Sequence, residues 1–262
     1  MIFALFEKKV RKMKRLLLLL ALLLPAALFA QDEQSALRIP DEDDIALRTM
    51  DASSPYYYTN LILKYRHGTA PLTPEEYYYL YYGYAYQQDY RPFASNTALE
   101  RMLSIMSGID PDRPQVGQLE ALIEYGTEAM EHDPFSPKTL NMMAYAYGAL
   151  GDKEREQLYF NHLNGILGAI ESTGTGLTEK SPWHVLLFSH AYDLLASKSR
   201  LYNEGRIISR NVQYVPLKKK THDGIKGYYF DYSRVYRNKP DDVEIRRDRT
   251  WQFNNLKPRT YK

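Results

Sequence analysis

Tyrosine is the side chain whose number and spacing most suggest binding chemistry. The chain has 24 tyrosines, and 12 of them fall between Tyr56 and Tyr90. Spacings of three and four residues form two stripes on a predicted helix, Tyr77, Tyr81 and Tyr84 on one and Tyr78, Tyr82 and Tyr86 on the other. These rings either pack between helices with their hydroxyls reaching the surface, or form an aromatic platform for a sugar chain or an extended peptide. The candidate binding residues are Tyr77, Tyr78, Tyr81, Tyr82 and Tyr86.

Catalytic and metal-binding patterns are not apparent in the sequence. The chain has no cysteine, which excludes thiolate catalysis and cysteine-bound zinc or iron–sulfur clusters. His184 and His190 are six residues apart, whereas a helical zinc site needs a spacing of three or four. The Gly174-Thr175-Gly176 segment lacks the lysine of a phosphate-binding loop, so we interpret it as a flexible linker. We therefore predict no catalytic residue, metal or cofactor, and favour a protein that is not an enzyme.

Basic residues are concentrated at the C-terminal end. Residues 31–197 carry 11 basic and 24 acidic side chains, a net charge of −13, and residues 198–262 carry 17 and 7, a net charge of +10. The two parts can dock on each other, or the basic part can face an anionic partner. Lys218, Lys219 and Lys220 are the candidate binding residues there, for anionic lipid headgroups or acidic glycans rather than nucleic acid. The alternative is a solvated hairpin loop.

Helix starts are indicated by four Ser-Pro or Thr-Pro pairs, because the hydroxyl suits the N-cap and proline suits the first helical position. These pairs predict helices beginning near residues 55, 74, 137 and 182, with a capping box at Thr73 and Glu76. Further helices are expected over about 95–106, 115–131 and 152–171. Beyond Arg206, β-branched and aromatic residues predict strands within 207–215 and 225–236, separated by a turn at Asp223-Gly224.

The N-terminus has the pattern of a secretory signal. Lys14 and Arg15 precede an apolar run, Leu16 to Ala30, that is shorter than the roughly 20 residues of a membrane-spanning helix. We predict cleavage near Ala30 or Ala27 and an exported protein, periplasmic or extracellular, with no transmembrane segment after cleavage. The alternative is a buried apolar helix, and translation can start at Met1 or Met13.

These patterns divide the chain into three parts. Residues 1–30 form an N-terminal extension and signal peptide, 31–198 a helical repeat-like domain, and 199–262 a basic, β-rich element packed on it. Residues 115–171 resemble a tetratricopeptide repeat, with Ala144 and Tyr147 on one helix, a turn at Gly151-Asp152 and Phe160 on the next helix. Glu156 and Leu163 depart from that pattern. The predicted fold is therefore mainly α, an irregular helical-hairpin array with a small C-terminal β-hairpin or sheet.

Several segments between about Asp41 and Tyr236 match a known family: Tyr56-Tyr57, Leu72-Thr73, Glu75-Glu76-Tyr77, Leu80 to Tyr84 and Gly227 to Phe230. Through these segments the chain resembles domain of unknown function 4919, a family found in exported proteins of Gram-negative bacteria. The resemblance implies no activity and no functional residue. The sequence therefore favours a non-enzymatic binding or assembly module that recognises an envelope protein or peptide. A glycan-binding or glycan-hydrolysing protein that uses the tyrosine-rich helices is the alternative.

Overall fold

A computed structural model describes residues 37–68 and 70–239, which lie within one compact unit. The predicted signal peptide and the charged segment 241–262 lie outside the described residues. Helices dominate the described part: α1 (Glu42–Met50), α2 (Tyr58–His67), α3 (Pro74–Gly83), α4 (Thr97–Ser107), α5 (Val116–His132), α6 (Pro137–Ala149), α7 (Lys153–Glu171), α8 (Phe188–Ser197) and α9 (Ser233–Arg237). A 3₁₀ turn, Tyr84–Tyr86, follows α3.

Two of the Ser-Pro and Thr-Pro pairs mark helix starts as predicted. The Thr73 hydroxyl accepts a hydrogen bond from the backbone N–H of Glu76, whose carboxylate accepts from the N–H of Thr73, so α3 begins with the predicted capping box. Ser136 caps α6 in the same way through the N–H of Thr139. Helix α2 begins at Tyr58, three residues later than predicted, because Ser54 and Pro55 lie in a turn closed by the N–H of Tyr57.

Consecutive helices from α4 to α7 pack against one another along the chain, and α3 packs against both α7 and α1. Helix α3 approaches α7 and α1 closely because a glycine lies at each helix–helix contact. A Cβ added to Gly165 of α7 would lie 2.4 Å from the Tyr77 ring, and one added to Gly83 would lie 2.7 Å from a carbon of Thr49. Glycine thus allows the tyrosine-rich helix to lie at the centre of the fold.

A four-stranded sheet lies near the C-terminal end, with the strand order β1 (Trp183–His184), β4 (Gly227–Asp231), β3 (Val212–Pro216) and β2 (Arg206–Ile207). Strand β1 is parallel to β4, and the other neighbouring pairs are antiparallel. The strand predicted within 225–236 covers only Gly227–Asp231, because α9 begins at Ser233.

The prediction of a helix that begins near Pro182 is wrong. The Ser181 hydroxyl accepts a hydrogen bond from the N–H of Thr175 at 2.9 Å, and Trp183–His184, directly after Pro182, form β1. Trp183 stacks on Tyr228 at 4.8 Å between ring centroids and donates its indole N–H to the carbonyl of Gly174. Packing of the tryptophan therefore overrides the local helix signal, and α8 begins only at Phe188.

The interpretation of residues 174–176 as a flexible linker is also wrong. Gly174 lies so close to the Pro182 carbonyl that an added Cβ would be 2.3 Å from its oxygen. Gly176 has a φ of +67°, a conformation that L side chains rarely adopt, and its carbonyl accepts the N–H of Tyr229. The two buried glycines therefore make this segment a packed connection between α7 and the sheet, with Thr175 exposed between them.

The helices and the sheet share one core. Tyr81 and Phe135 from the helical part lie in the same buried cluster as Val215, Phe230 and Tyr232 from the C-terminal part. An ion pair of 3.3 Å between the buried Arg234 of α9 and Glu42 of α1 adds a polar link. The protein is mainly α with a small C-terminal sheet, as predicted; the likeness of residues 115–171 to a tetratricopeptide repeat stays a prediction.

Candidate peptide-binding groove

The tyrosines predicted to bind a ligand lie mostly inside the protein. Tyr77, Tyr78, Tyr81 and Tyr82 expose between 0% and 6% of their surface, and Tyr86 is half-buried. Stacking on a sugar needs an exposed ring face, so the four buried rings do not form an aromatic platform, and that interpretation of them is wrong. Burial raises the pKa of Tyr77 and of Tyr78 to about 12, so both hydroxyls stay protonated at neutral pH. The competing interpretation is right that these rings pack between helices, but it is wrong about the hydroxyls of Tyr77 and Tyr81, which form buried hydrogen bonds instead of reaching the surface.

The buried hydroxyls are used in polar chains that join distant parts of the sequence. Tyr81 lies 2.8 Å from Nδ1 of His190, and Nε2 of His190 lies 3.0 Å from Oδ2 of Asp133. The Tyr81 oxygen also accepts the backbone N–H of Leu186 at 3.1 Å. We assign the protons in one direction, from Leu186 to Tyr81, from Tyr81 to His190 and from His190 to Asp133, so that each group has a partner. This chain fixes α3, α8 and the end of α5 relative to one another.

A second buried histidine is held in the neutral form. His162 of α7 lies 2.9 Å from the Tyr77 hydroxyl through Nδ1 and 3.0 Å from the Tyr65 carbonyl through Nε2. Because a carbonyl can only accept, Nε2 carries the proton and Nδ1 accepts from Tyr77. Burial lowers the pKa of His162 to about 4. Both histidine networks are satisfied within the core and therefore serve the fold.

The remaining predicted site residues lie elsewhere. Tyr86 donates its hydroxyl hydrogen to the Glu42 carbonyl at 2.9 Å, which ties the end of α3 to α1. Lys218, Lys219 and Lys220 are exposed on the connection between β3 and β4. The structure therefore does not combine the tyrosines and the lysines into one site.

A groove between α6, α7 and α8 has the composition of a binding site. Its volume is about 650 Å³. Helix α6 contributes Pro137, Lys138 and Asn141, helix α7 contributes Phe160, Leu163, Asn164, Leu167, Gly168 and Glu171, and α8 contributes Asp193, Ala196 and Ser197, followed by Lys198. The groove thus combines an apolar stripe on α7 with polar side chains on both neighbouring helices.

Asp193 is the distinctive polar group of the groove. Its side chain is only 4% exposed, and Oδ1 is paired with Nζ of Lys138 at 3.2 Å. Oδ2 has no hydrogen-bond partner among the described residues. Burial raises the pKa of the Asp193 carboxyl above its ordinary value, and Lys138 offsets only part of that effect. A buried carboxylate oxygen without a donor is costly, so a donor that reached Oδ2 from the groove would stabilise Asp193.

Other groove residues offer contacts that need no rearrangement of the core. Phe160 is 49% exposed, an unusual exposure for a large apolar ring on a helix of this fold. The amide side chains of Asn141 and Asn164 are exposed on opposing helices and can donate to and accept from a peptide backbone. Glu171, the other carboxylate, is paired with Lys198.

A smaller depression of about 340 Å³ lies beside Asp133, between the residues after α3 and the start of α8. Asp133 accepts from His190 through Oδ2 and from the N–H of Phe135 through Oδ1. Both of its oxygens are thus already engaged within the protein. The groove at Asp193, which keeps an acceptor oxygen without a partner, is the better candidate for ligand binding.

The sequence contains a signal for this site that we did not use. His190 and Asp193 are three residues apart in an otherwise apolar stretch, so both lie on the same face of α8. Polar residues within an apolar helix face need buried partners, and here those partners are Tyr81 and Asp133 for His190 and Lys138 for Asp193.

The described ranges, 37–68 and 70–239, contain neither a candidate metal-binding cluster nor a candidate membrane-spanning helix. No group of three or more histidine, aspartate or glutamate side chains there is arranged to hold a metal ion. None of the helices in those ranges is long and apolar enough to span a membrane.

Comparison with known proteins identifies the family but no characterised relative. No curated protein and no solved structure matches the chain. The profile of the family described as domain of unknown function (DUF4919) matches residues 43–240, a range that includes the core helices, the groove and the sheet. The chain belongs to the DUF4919 family.

Proposed function

We propose that the protein is an exported, non-enzymatic binding module whose groove holds an extended segment of an envelope protein. The observation that carries this proposal is Asp193, a residue of the groove wall whose buried Oδ2 has no hydrogen-bond donor among the described residues. Both groove carboxylates, Asp193 and Glu171, are paired with lysines, an arrangement that favours binding over acid–base catalysis.

The dimensions of the groove favour a short peptide. From Phe160 to Glu171 the wall formed by α7 extends about 16 Å, at about 1.5 Å per helical residue. An extended chain advances about 3.3 Å per residue, so about five peptide residues fit along the groove. Such a segment can place a backbone N–H against Asp193, its other backbone groups against Asn141 and Asn164, and an apolar side chain on Phe160.

The experiment that tests the groove is selection of short peptides from a random displayed library against the chain from residue 31 onward. Affinities of the selected peptides are then measured by fluorescence anisotropy. We expect Phe160→Ala and Asn164→Ala to weaken binding by about tenfold or more, as for residues that dominate an interface. Leu103→Ala on α4 is the matched control, because Leu103 is a similarly exposed apolar residue, 39% against 49% for Phe160.

Unchanged affinity in Phe160→Ala and Asn164→Ala would show that the selected peptides bind elsewhere and would refute the groove. An Asp193→Asn variant examines the acceptor separately, because it keeps the shape of the side chain and removes its charge. Hydrogen bonds to charged groups contribute about 1.5–3 kcal/mol, so we expect a loss of about tenfold to a hundredfold. The natural partner can then be sought in envelope extracts, with Phe160→Ala as the negative bait.

Export is tested by the mass of the protein recovered from the envelope of the producing cell. Removal of the predicted signal leaves a chain that begins near Gln31. Recovery of the intact chain in the cytoplasm would contradict the export part of the proposal while leaving the groove measurement unaffected.

A further inference from the structure

Among the described residues, no strand pairs with the outer side of β2, and this edge of the sheet carries large apolar side chains in contact with solvent. Strand β2 is the last in the strand order, and the segment 201–208 runs along that edge. Leu201 is 69% exposed and Ile207 is 68% exposed, and Tyr202 and Ile208 next to them are 37% and 40% exposed. Exposed edges with apolar side chains invite association, and proteins usually protect them. This edge therefore needs a covering partner.

Basic side chains surround the same edge. The N–H of Lys218 donates to the Leu201 carbonyl at 2.9 Å, so the Lys218–Lys220 loop begins directly beside the exposed leucine. Residues 199–227 contain seven basic and two acidic side chains, a net charge of +5. Lys218, Lys219 and Lys220 form no ion pair within the described part of the chain. The edge is thus both apolar and strongly positive.

This combination selects among the possible partners. A second copy of the chain would bring two surfaces of charge +5 together, and their repulsion opposes pairing through this edge. An acidic glycan would neutralise the lysines, but it offers no apolar surface against which Leu201 and Ile207 could be buried. A membrane surface with anionic lipids matches both features of this edge. Its headgroups attract the basic residues, and the aliphatic side chains are buried at the boundary between headgroups and acyl chains.

We propose that the edge 201–208 and the Lys218–Lys220 loop dock on an anionic lipid surface. The lysines contact headgroup phosphates, and Leu201 and Ile207 enter the boundary between the headgroups and the acyl chains. The groove lies on α6, α7 and α8, so this inference does not depend on the proposed peptide binding. One protein can therefore be held at a membrane surface by its sheet while its helices carry the groove.

The test is sedimentation of the chain from residue 31 onward with vesicles of equal parts phosphatidylcholine and phosphatidylglycerol, compared with pure phosphatidylcholine. Omission of the leader is essential, since its apolar run would itself enter a bilayer. A basic residue near an anionic membrane contributes about fivefold to partitioning, so replacement of Lys218–Lys220 by alanine is expected to reduce binding by about a hundredfold. A control variant changes three exposed basic residues elsewhere, Arg101, Arg113 and Lys180, to alanine.

Leu201→Ser and Ile207→Ser separate lipid insertion from attraction to any polyanion. We expect each to weaken binding to the anionic vesicles and to leave binding to a soluble polyanion, dextran sulfate, unchanged. Failure to bind the anionic vesicles, or an equal loss in the lysine variant and the control variant, would overturn the proposal. Binding that needs the lysines but is unaffected by both serine variants would mean recognition of polyanions alone and would also overturn it. Circular dichroism verifies that the variants, all at exposed positions, keep the fold.

Discussion

Removal of one buried hydroxyl group, that of Tyr81, tests whether the polar chain in the core holds the helices together. In Tyr81→Phe the ring remains and the core keeps its apolar contacts. Two groups lose their partner, because the hydroxyl accepts from the N–H of Leu186 and lies against Nδ1 of His190. A buried polar group without a partner costs about 1–3 kcal/mol, so the variant is expected to lose about 2–6 kcal/mol of unfolding free energy.

Tyr90→Phe is the matched control, since Tyr90 is also buried and its hydroxyl donates only to the Leu186 carbonyl, at 2.7 Å. One group loses its partner there, and the expected cost is about 1–3 kcal/mol. Both variants are compared with the wild-type chain from residue 31 by urea unfolding followed by circular dichroism, with the slope in denaturant checked for constancy. If Tyr81→Phe costs no more than Tyr90→Phe, the hydroxyl does not join two partners and the assigned chain is wrong.

Two further predictions concern α7. The pKa of His162 is about 4 in the folded chain and about 6.5, the ordinary value for histidine, in the unfolded chain. Between these two pH values the unfolded chain binds a proton at His162 and the folded chain does not. The contribution of His162 to stability is therefore complete above about pH 6.5 and is lost as the pH falls toward 4. At about 1.4 kcal/mol per pKa unit the loss is about 3 kcal/mol, and His162→Gln is expected to remove that part of the pH dependence in urea unfolding. Gly168→Ala is expected to raise the melting temperature, because an added Cβ meets no atom within 4 Å and alanine favours the helix by about 1 kcal/mol. Gly165→Ala is expected to lower it by overpacking against Tyr77, at a cost of about 1–3 kcal/mol, and the opposite order would contradict the packing of α3 on α7.

Local signals in the sequence were sufficient for most of the helices. The capping box at Thr73 and the serine cap at Ser136 are short-range interactions, and the structure contains both. The Ser181-Pro182 pair has the same local pattern, yet a strand follows it. Its neighbourhood is decided by Trp183, which packs on residues about 45 positions later in the chain, and such a distant partner leaves no local signal. Long-range packing therefore limits the prediction at the junction between helices and sheet.

The candidate site was missed for a related reason. The density of tyrosines on α3 predicted a binding surface, but these side chains form part of the core. A single sequence does not show which face of a central helix is covered. Asp193 has no unusual composition around it. Its significance comes from burial beside Lys138 and from an oxygen without a donor, both of which depend on how α6, α7 and α8 pack.

The position of Asp193 determines how the groove must be tested. Helix α8 presents His190 to the core network and Asp193 to the groove, three residues apart, so a variant at His190 would alter folding and binding together. Removal of the whole C-terminal part from residue 206 has the same drawback, since Val215, Phe230 and Tyr232 are fully buried in the shared core. Phe160 and Asn164 are exposed on α7 and are therefore the positions at which lost binding can be separated from lost structure.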